Sequence, residues 1–501
     1  MGSPLEALGF DLEPRSLTKT SAGEWSLARR GSRSHLVVKA APGHEAILGD
    51  FEGEGRGASA GTILVVPCSP KNAASLRKHL PWLRPQPLGT ATSAGLGDRL
   101  GLGTPGHVRA VRAVGGGLRP IFAQQSIREM GRTGRTPQEV MDDATWGTFA
   151  EGWRDGVGSD ADHLKAPDDV DACLAAGFSM FTIDPGEHVD ATADTADGGT
   201  LRAKVAGLPW EALEDTEPDQ RARYRDRQVV IEDHRFTLDE ETLLRAAAKY
   251  GRAVAHVVRM ERHLRRAAAD REVELEVSVD ETETPTAPAE HYWVASELAR
   301  LGVRWVSLAP RFVGRFEKGV DYIGDLALLE KDLAVHAAIA RHLGPYKLSL
   351  HSGSDKFSVY PVAAEQTRGL VHLKTAGTSY LEALRTVADV DPPFFRSIYA
   401  FARERYETDR ASYHVSARLD RAPDADVVSE KEISSLLEQF DAREILHVTF
   451  GSVLNAREAD GQPRFRDAFF RILRSNPEVY AGHLEAHFVR HLRPFAERSA
   501  G

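Results

Sequence analysis

Three histidines in this 501-residue chain close separate apolar runs that read as strands: His163, His351 and His372. Neutral imidazoles from several strands, with carboxylates beside them, suit one divalent cation such as Zn²⁺, Mn²⁺ or Ni²⁺. Asp162 precedes His163. Glu276 sits inside the alternating run 273–279, on the same side as Ser278 and Asp280 by the two-residue period of a strand. Two carboxylates on different walls of a site could handle a proton on both faces of a reacting carbon, and burial would raise their pKa toward neutrality. Asp162 and Glu276 are therefore the candidate acid–base pair. Further polar side chains follow predicted strands and read as substrate contacts: Asp98, Arg99, Gln125, Lys165, Asp184, His188, Arg311, Ser354, Lys356 and Lys374. A rival set, His483, His487 and His491, repeats every four residues on one helical face. With only Glu485 as an acidic neighbour in sequence, it reads as a helix surface.

Glycine motifs exclude some chemistry. Residues 95–101 match a dinucleotide fingerprint loosely, one residue too long and without the βαβ unit and acidic residue it needs, so no nicotinamide site is expected. Ser352–Ser354 and Gly377–Ser379 each follow a predicted strand, and their free amides could hold an anion or simply cap a helix at Thr378 or Ser379.

These residues need a scaffold that gathers strand ends. Strand signals fall at 93–102, 120–125, 156–163, 178–184, 273–279, 303–308, 346–350 and 369–374. Helical patterns separate most of them, at 137–153, 167–176, 240–270, 288–301 and 323–343, with another at 378–388. Eight strands alternating mainly with helices predict an α/β fold, a (β/α)8 TIM-like barrel over 91–390, with a doubly wound sheet as the alternative. Residues 1–90 read as a small N-terminal α+β domain, with strands at 34–40 and 62–67, a helix at 72–80 and an exposed glycine-rich loop at 53–61. Residues 391–501 read as a helical C-terminal extension packed on the barrel.

Composition sets the remaining limits. With 63 basic against 73 acidic residues, a net charge of −10, no nucleic-acid partner is expected. No apolar run approaches the roughly 20 residues of a membrane span, and residues 1–16 lack the pattern of a secretory signal. Glu6 occupies the place where a myristoylation motif after Gly2 has Ser or Thr. Cys68 and Cys173 are the only cysteines, so neither a disulfide framework nor a multi-cysteine metal site is expected, and a reduced cytoplasm is. Nothing in the sequence sets an oligomeric state.

Residues 95–107, 160–165, 181–188, 347–356 and 372–379 together resemble the tagaturonate epimerase family, and the resemblance spans about 90–450. The Asp162–Leu164 piece also resembles barrel proteins related to tagatose-bisphosphate aldolase. The resemblance implies a metal-dependent enzyme of hexuronate catabolism that interconverts tagaturonate and fructuronate, keto-hexuronates differing at C4. The C4 proton of a 2-ketose is β to the carbonyl and not acidic. The C4 hydroxyl, however, belongs to a β-hydroxy ketone, so retro-aldol cleavage of C3–C4, rotation and re-addition would invert C4. That path needs a Lewis acid and proton-handling groups, with lysines and Arg311 to hold the carboxylate. A metal-dependent ketose aldolase or isomerase on the same barrel, and a non-catalytic sugar-binding protein, are the alternatives.

Overall fold

Eight short strands pair in parallel and close on themselves. In chain order they are Ser93–Gly95, Arg119–Ser126, Gly158–Leu164, Met180–Ile183, Glu274–Ser278, Ser307–Ala309, Lys347–Leu350 and Val371–Lys374. His372 of the eighth strand lies opposite Ser93 of the first, which completes the ring. Intervening helices give the (β/α)8 architecture and rule out the doubly wound sheet. The structure is a computed structural model that describes residues 9–31, 33–53 and 63–499. Beyond Gly53, the glycine-rich loop expected at 53–61 lies outside the described residues.

The first strand is the largest departure from expectation. It ends at Gly95, not at residue 102. The chain then turns through a loop in which the Asp98 carboxylate accepts the amides of Leu100 and Gly103, and enters a helix, Thr104–Val114. Glycines at 101, 103 and 106 mask this helix in the sequence. Pro105 is tolerated because it lies in the first turn. Gly106 is needed because a Cβ there would lie 2.5 Å from Leu484 Cβ. Between the fourth and fifth strands, the expected polar segments hold the hairpin Arg227–Ile231/His234–Leu238 before the 29-residue helix Glu240–Ala268.

Barrels are ordinarily filled by branched apolar side chains. This one is filled by polar ones: Ser93, Asp160, Thr182, Glu276, Ser307, Lys347, Ser349 and His372 are all buried. Their alternating neighbours, including Phe181, Leu275, Val277, Leu348 and Leu373, join the apolar layer shared with the helices.

Before the barrel, strands Asp11–Thr20, Gly23–Arg30, Arg33–Ala40 and Ile63–Pro67 form an antiparallel sheet covered by helix Pro70–His79. Trp25, Leu36, Val38 and Leu76 make its core. The first two strands went unread because charged and polar residues dominate them. Glu151 ties this sheet to the barrel by pairing with Arg15, Arg109 and Arg112. After the barrel the chain is mainly helical, and its last helix, Pro477–Ser499, packs along Thr104–Val114. No described helix is long and apolar enough to cross a membrane.

The contact between these two helices tests the fold. Gly106→Val should overpack it and cost about 1–3 kcal/mol, measured as a lower guanidinium midpoint. An unchanged midpoint would mean that the two helices are not in close contact.

Candidate active site

The third strand carries a bulge. Its register against the fourth strand slips between Ala161 and Leu164, and His163 adopts a φ of 51°. Adjacent residues of a regular strand face opposite ways. The extra residue lets Asp162 and His163 both turn to the C-terminal mouth of the barrel. Beyond the seventh strand, Ser352 and Asp355 also have left-handed φ values of 48° and 61°. Such backbone is uncommon outside glycine and collects at functional sites.

His351 follows the seventh strand. Its Nε2 meets Glu276 Oε1 at 2.6 Å, and its Nδ1 lies 3.0 Å from Asp280 Oδ1. The His163 and His351 rings stand edge to face, with centroids 5.1 Å apart. His163 Nδ1 lies 3.2 Å from Asp184 Oδ2, and Nε2 lies 3.7 Å from Asp162 Oδ1. At the centre, Lys374 Nζ lies 2.9 Å from Asp160 Oδ2, 2.7 Å from Asp162 Oδ1 and 2.8 Å from Glu276 Oε1. Gln124 Nε2 donates to the other oxygen of Asp162 at 3.0 Å.

This charge arrangement reverses one expectation. Burial does push the Asp162 and Glu276 carboxyls up, but Lys374 and the histidines outweigh it and hold both well below the usual range. Glu281, opposed likewise by burial, is held to about 2 by His163 and Arg128. The histidines respond in the opposite sense. Burial lowers them, but Asp162, Glu281 and Asp184 raise His163 to about 10, and Asp280 leads the groups that raise His351 to about 9. The mouth thus carries more negative charge than its fixed cations neutralise.

Asp162, His163 and His351 each present a ligand atom within 4.8 Å of the others, and so do His163, Asp184 and Glu281. The two groups share His163. Mixed imidazole and carboxylate donors suit Zn²⁺, Mn²⁺ or Ni²⁺. Behind this donor set the buried Glu276 Oε2 lacks a hydrogen-bond partner among the described residues, an unmet acceptor beside His351.

His372 does not join them. It lies deeper in the barrel, with Nδ1 hydrogen-bonded to Ser93 Oγ at 2.9 Å, and burial lowers its pKa. The reason is register: His372 pairs with Ser93, whereas Lys374, two residues on, reaches the mouth layer. Glu276 is also placed differently from expectation. It is fully buried, and its Oε1 is taken up by His351, Lys374 and Thr182, so it supports His351 from below.

The predicted substrate contacts divide. Asp184 lies at the mouth, and Lys165 reaches Glu187 at 2.9 Å beside it. Arg311 donates to the Asp280 carbonyl at 3.2 Å. Asp98 locks its own loop. Arg99 is buried between Glu129 and the Phe450 ring, and Gln125 donates to the same Glu129. His188 stacks on His256 with centroids 4.2 Å apart. Lys356 is buried, donating to the carbonyls of Glu317, Val320 and Ser354. Of the two glycine motifs, Gly377 itself caps helix Thr378–Val390, and Ser379 donates to the Gly97 carbonyl, so neither Thr378 nor Ser379 is the cap. Asp280 and Glu281, just after the fifth strand, bring two further carboxylates to this site.

The helix-surface reading of the C-terminal histidines is overturned for two of them. His487 and His491 are buried against Asp355: Nε2 of His487 lies 3.3 Å from its Oδ1, and the Asp355 amide donates to His491 at 2.9 Å. Asp355 is already paired with Arg443 at 3.1 Å. Only His483 stays near the surface, with Asp389.

A closed (β/α)8 barrel with a charged cluster gathered at the C-terminal ends of its strands defines a barrel enzyme. The tagaturonate epimerase family matches residues 14–495. The tagaturonate/fructuronate epimerase of Thermotoga maritima is 44% identical over 422 residues, 84% of either chain. A native crystal structure of fructuronate-tagaturonate epimerase from Cohnella laeviribosi is 39% identical, with a TM-score of 0.92 over 98% of this chain and 97% of that one. A structure of the same Cohnella laeviribosi enzyme complexed with one glycerol gives 0.91 at the same identity and coverage. The chain belongs to the tagaturonate epimerase family, carbohydrate epimerases of the isomerase class.

Lys374 neutralises buried carboxylates from two strands. Removing one partner from a buried ion cluster typically costs about 3–5 kcal/mol. Lys374→Met should show a loss of that size in guanidinium unfolding. A loss under about 1 kcal/mol would mean that the cluster is neutralised in some other way.

Proposed function

We propose that this protein interconverts tagaturonate and fructuronate by inverting C4 through cleavage and re-formation of the C3–C4 bond, with a bound divalent metal. The observation that carries the reading is the convergence of Asp162, His163 and His351 within 4.8 Å at the mouth. His163 and His351 would hold the metal, with Asp162, Asp184 and Glu281 adjoining. The metal, Zn²⁺, Mn²⁺ or Ni²⁺, would supply Lewis acidity toward the substrate oxygens.

The chain's own residues handle the proton. As the C4 hydroxyl is deprotonated, the C3–C4 electron pair passes into an enediolate over C2 and C3, and C4 becomes an aldehyde. Rotation of that aldehyde presents its other face, re-addition re-forms the bond, and the alkoxide regains a proton. One group is needed on each face. Asp162, on the third strand, and Glu281, after the fifth, flank His163 and are both ionised, so each can accept the hydroxyl proton. Glu276 positions His351 through Nε2, which leaves Nδ1, beside Asp280, for the metal. Gln124 and Lys374 orient Asp162.

Four measurements test this reading. Epimerisation in D₂O should give a product without deuterium at C4, because the C4–H bond is never broken. Deuterium at C4 would rule out C–C cleavage. Asp162→Asn and Glu281→Gln should each lower turnover by about 10²–10⁴-fold, the range for acid–base groups. Chelation should abolish activity, and Zn²⁺, Mn²⁺ or Ni²⁺ should restore it. His163→Ala and His351→Ala should fail to retain metal, whereas His372→Ala should retain it. Full activity in metal-free protein would remove the metal from the proposal.

A further inference from the structure

The substrate class proposed above carries a carboxylate, and the mouth must meet that charge. Most cations there are already engaged. Lys374 serves Asp160, Asp162 and Glu276, and Arg128 pairs with Glu281 at 2.7 Å. Lys165 pairs with Glu187, Arg99 with Glu129, and Lys356 serves three backbone carbonyls. Lys318 differs. It is half-buried, and among the described residues it has neither an ion-pair nor a hydrogen-bond partner.

The segment that carries Lys318 is held on both sides. It lies after the sixth strand, Ser307–Ala309, at the C-terminal face where barrel active sites form. Lys356 Nζ donates to the carbonyls of Glu317 and Val320 at 2.7 and 2.6 Å. Arg443 Nε donates to the Gly319 carbonyl at 2.6 Å. The Glu317 carboxylate accepts both the amide and the hydroxyl of Ser416. Gly319, at a φ of 76°, packs against the His447 ring so closely that a Cβ would lie 3.0 Å from it. The backbone on either side of Lys318 is thus fixed from the seventh strand's loop and from the C-terminal helices, while its own ammonium is unpaired. Its charge helps to lower the Glu129 and Glu281 carboxyls, in keeping with its place on the loop at the C-terminal face. A cation presented on an immobile loop binds an anion with little ordering cost.

We infer that Lys318 is the specificity residue that grips the substrate carboxylate. The inference rests on the keto-hexuronate reading and adds a function to it. In the proposed cleavage the carboxylate stays on the aldehyde fragment, so Lys318 would keep that fragment in place while its carbonyl turns.

Steady-state kinetics with tagaturonate tests this in the full-length, metal-loaded protein. Lys318→Gln should raise KM about tenfold or more, the usual scale for one charged hydrogen bond, with kcat changed less than threefold. Lys318→Arg should recover most of the loss. Raised ionic strength should increase KM in the unsubstituted enzyme and have little effect in Lys318→Gln, a difference that a merely structural residue would not produce. A KM within twofold of the unsubstituted value in Lys318→Gln, or the same salt dependence in both proteins, would overturn this inference alone. No conversion by the unsubstituted enzyme would overturn the activity beneath it, and this inference with it.

Discussion

Carboxylates buried together at the centre of a barrel require a cation among them, and Lys374 supplies it. Asp160 and Asp162 of the third strand and Glu276 of the fifth all come within 3 Å of its Nζ. Without it, like charges in a medium of low polarity would repel or take up protons. With it, the Asp162 and Glu276 carboxyls are held well below their usual range. The rest of the site is built on this cluster. Glu276 holds His351 from below, and Asp162 stands beside His163.

The cluster leaves the mouth short of positive charge, and that shortage organises the chemistry. Both histidines are driven toward protonation by the carboxylates around them. A divalent cation would answer the same deficit and return the imidazoles to their neutral, ligating form. The acidic excess also bears on the substrate, because an anion approaching this mouth needs a cation that the carboxylates have not claimed. Local backbone supports the arrangement. The bulge at His163 turns two neighbouring side chains to one side, and the left-handed residues Ser352 and Asp355 shape the loop after His351.

Much of the fold was legible because hydrophobic periodicity is local. All eight barrel strands appear within or overlapping the predicted segments, and helix Pro167–Ala176 matches in full, because each element announces its buried face within a few residues. Helix Thr104–Val114 was missed because its glycines serve a contact with Leu484, nearly four hundred residues away in sequence. The first two strands of the N-terminal sheet were missed because their exposed faces are charged.

For the site, the sequence by itself determined which residue types stand at strand ends, and so named His163, His351, Asp162, Asp184 and Lys374. Tertiary structure alone decided their depth and pairing. His372 and Lys374 share one strand, yet two residues of stagger put one deep in the barrel and the other among the mouth's carboxylates. His487 and His491 became interior because Asp355 arrives from another element. Whether a lysine is engaged or free, as Lys356 and Lys318 are, depends on partners brought together only when the chain closes on itself. A one-dimensional pattern encodes which face is buried. It does not encode how strands are staggered or which distant charge will be the neighbour.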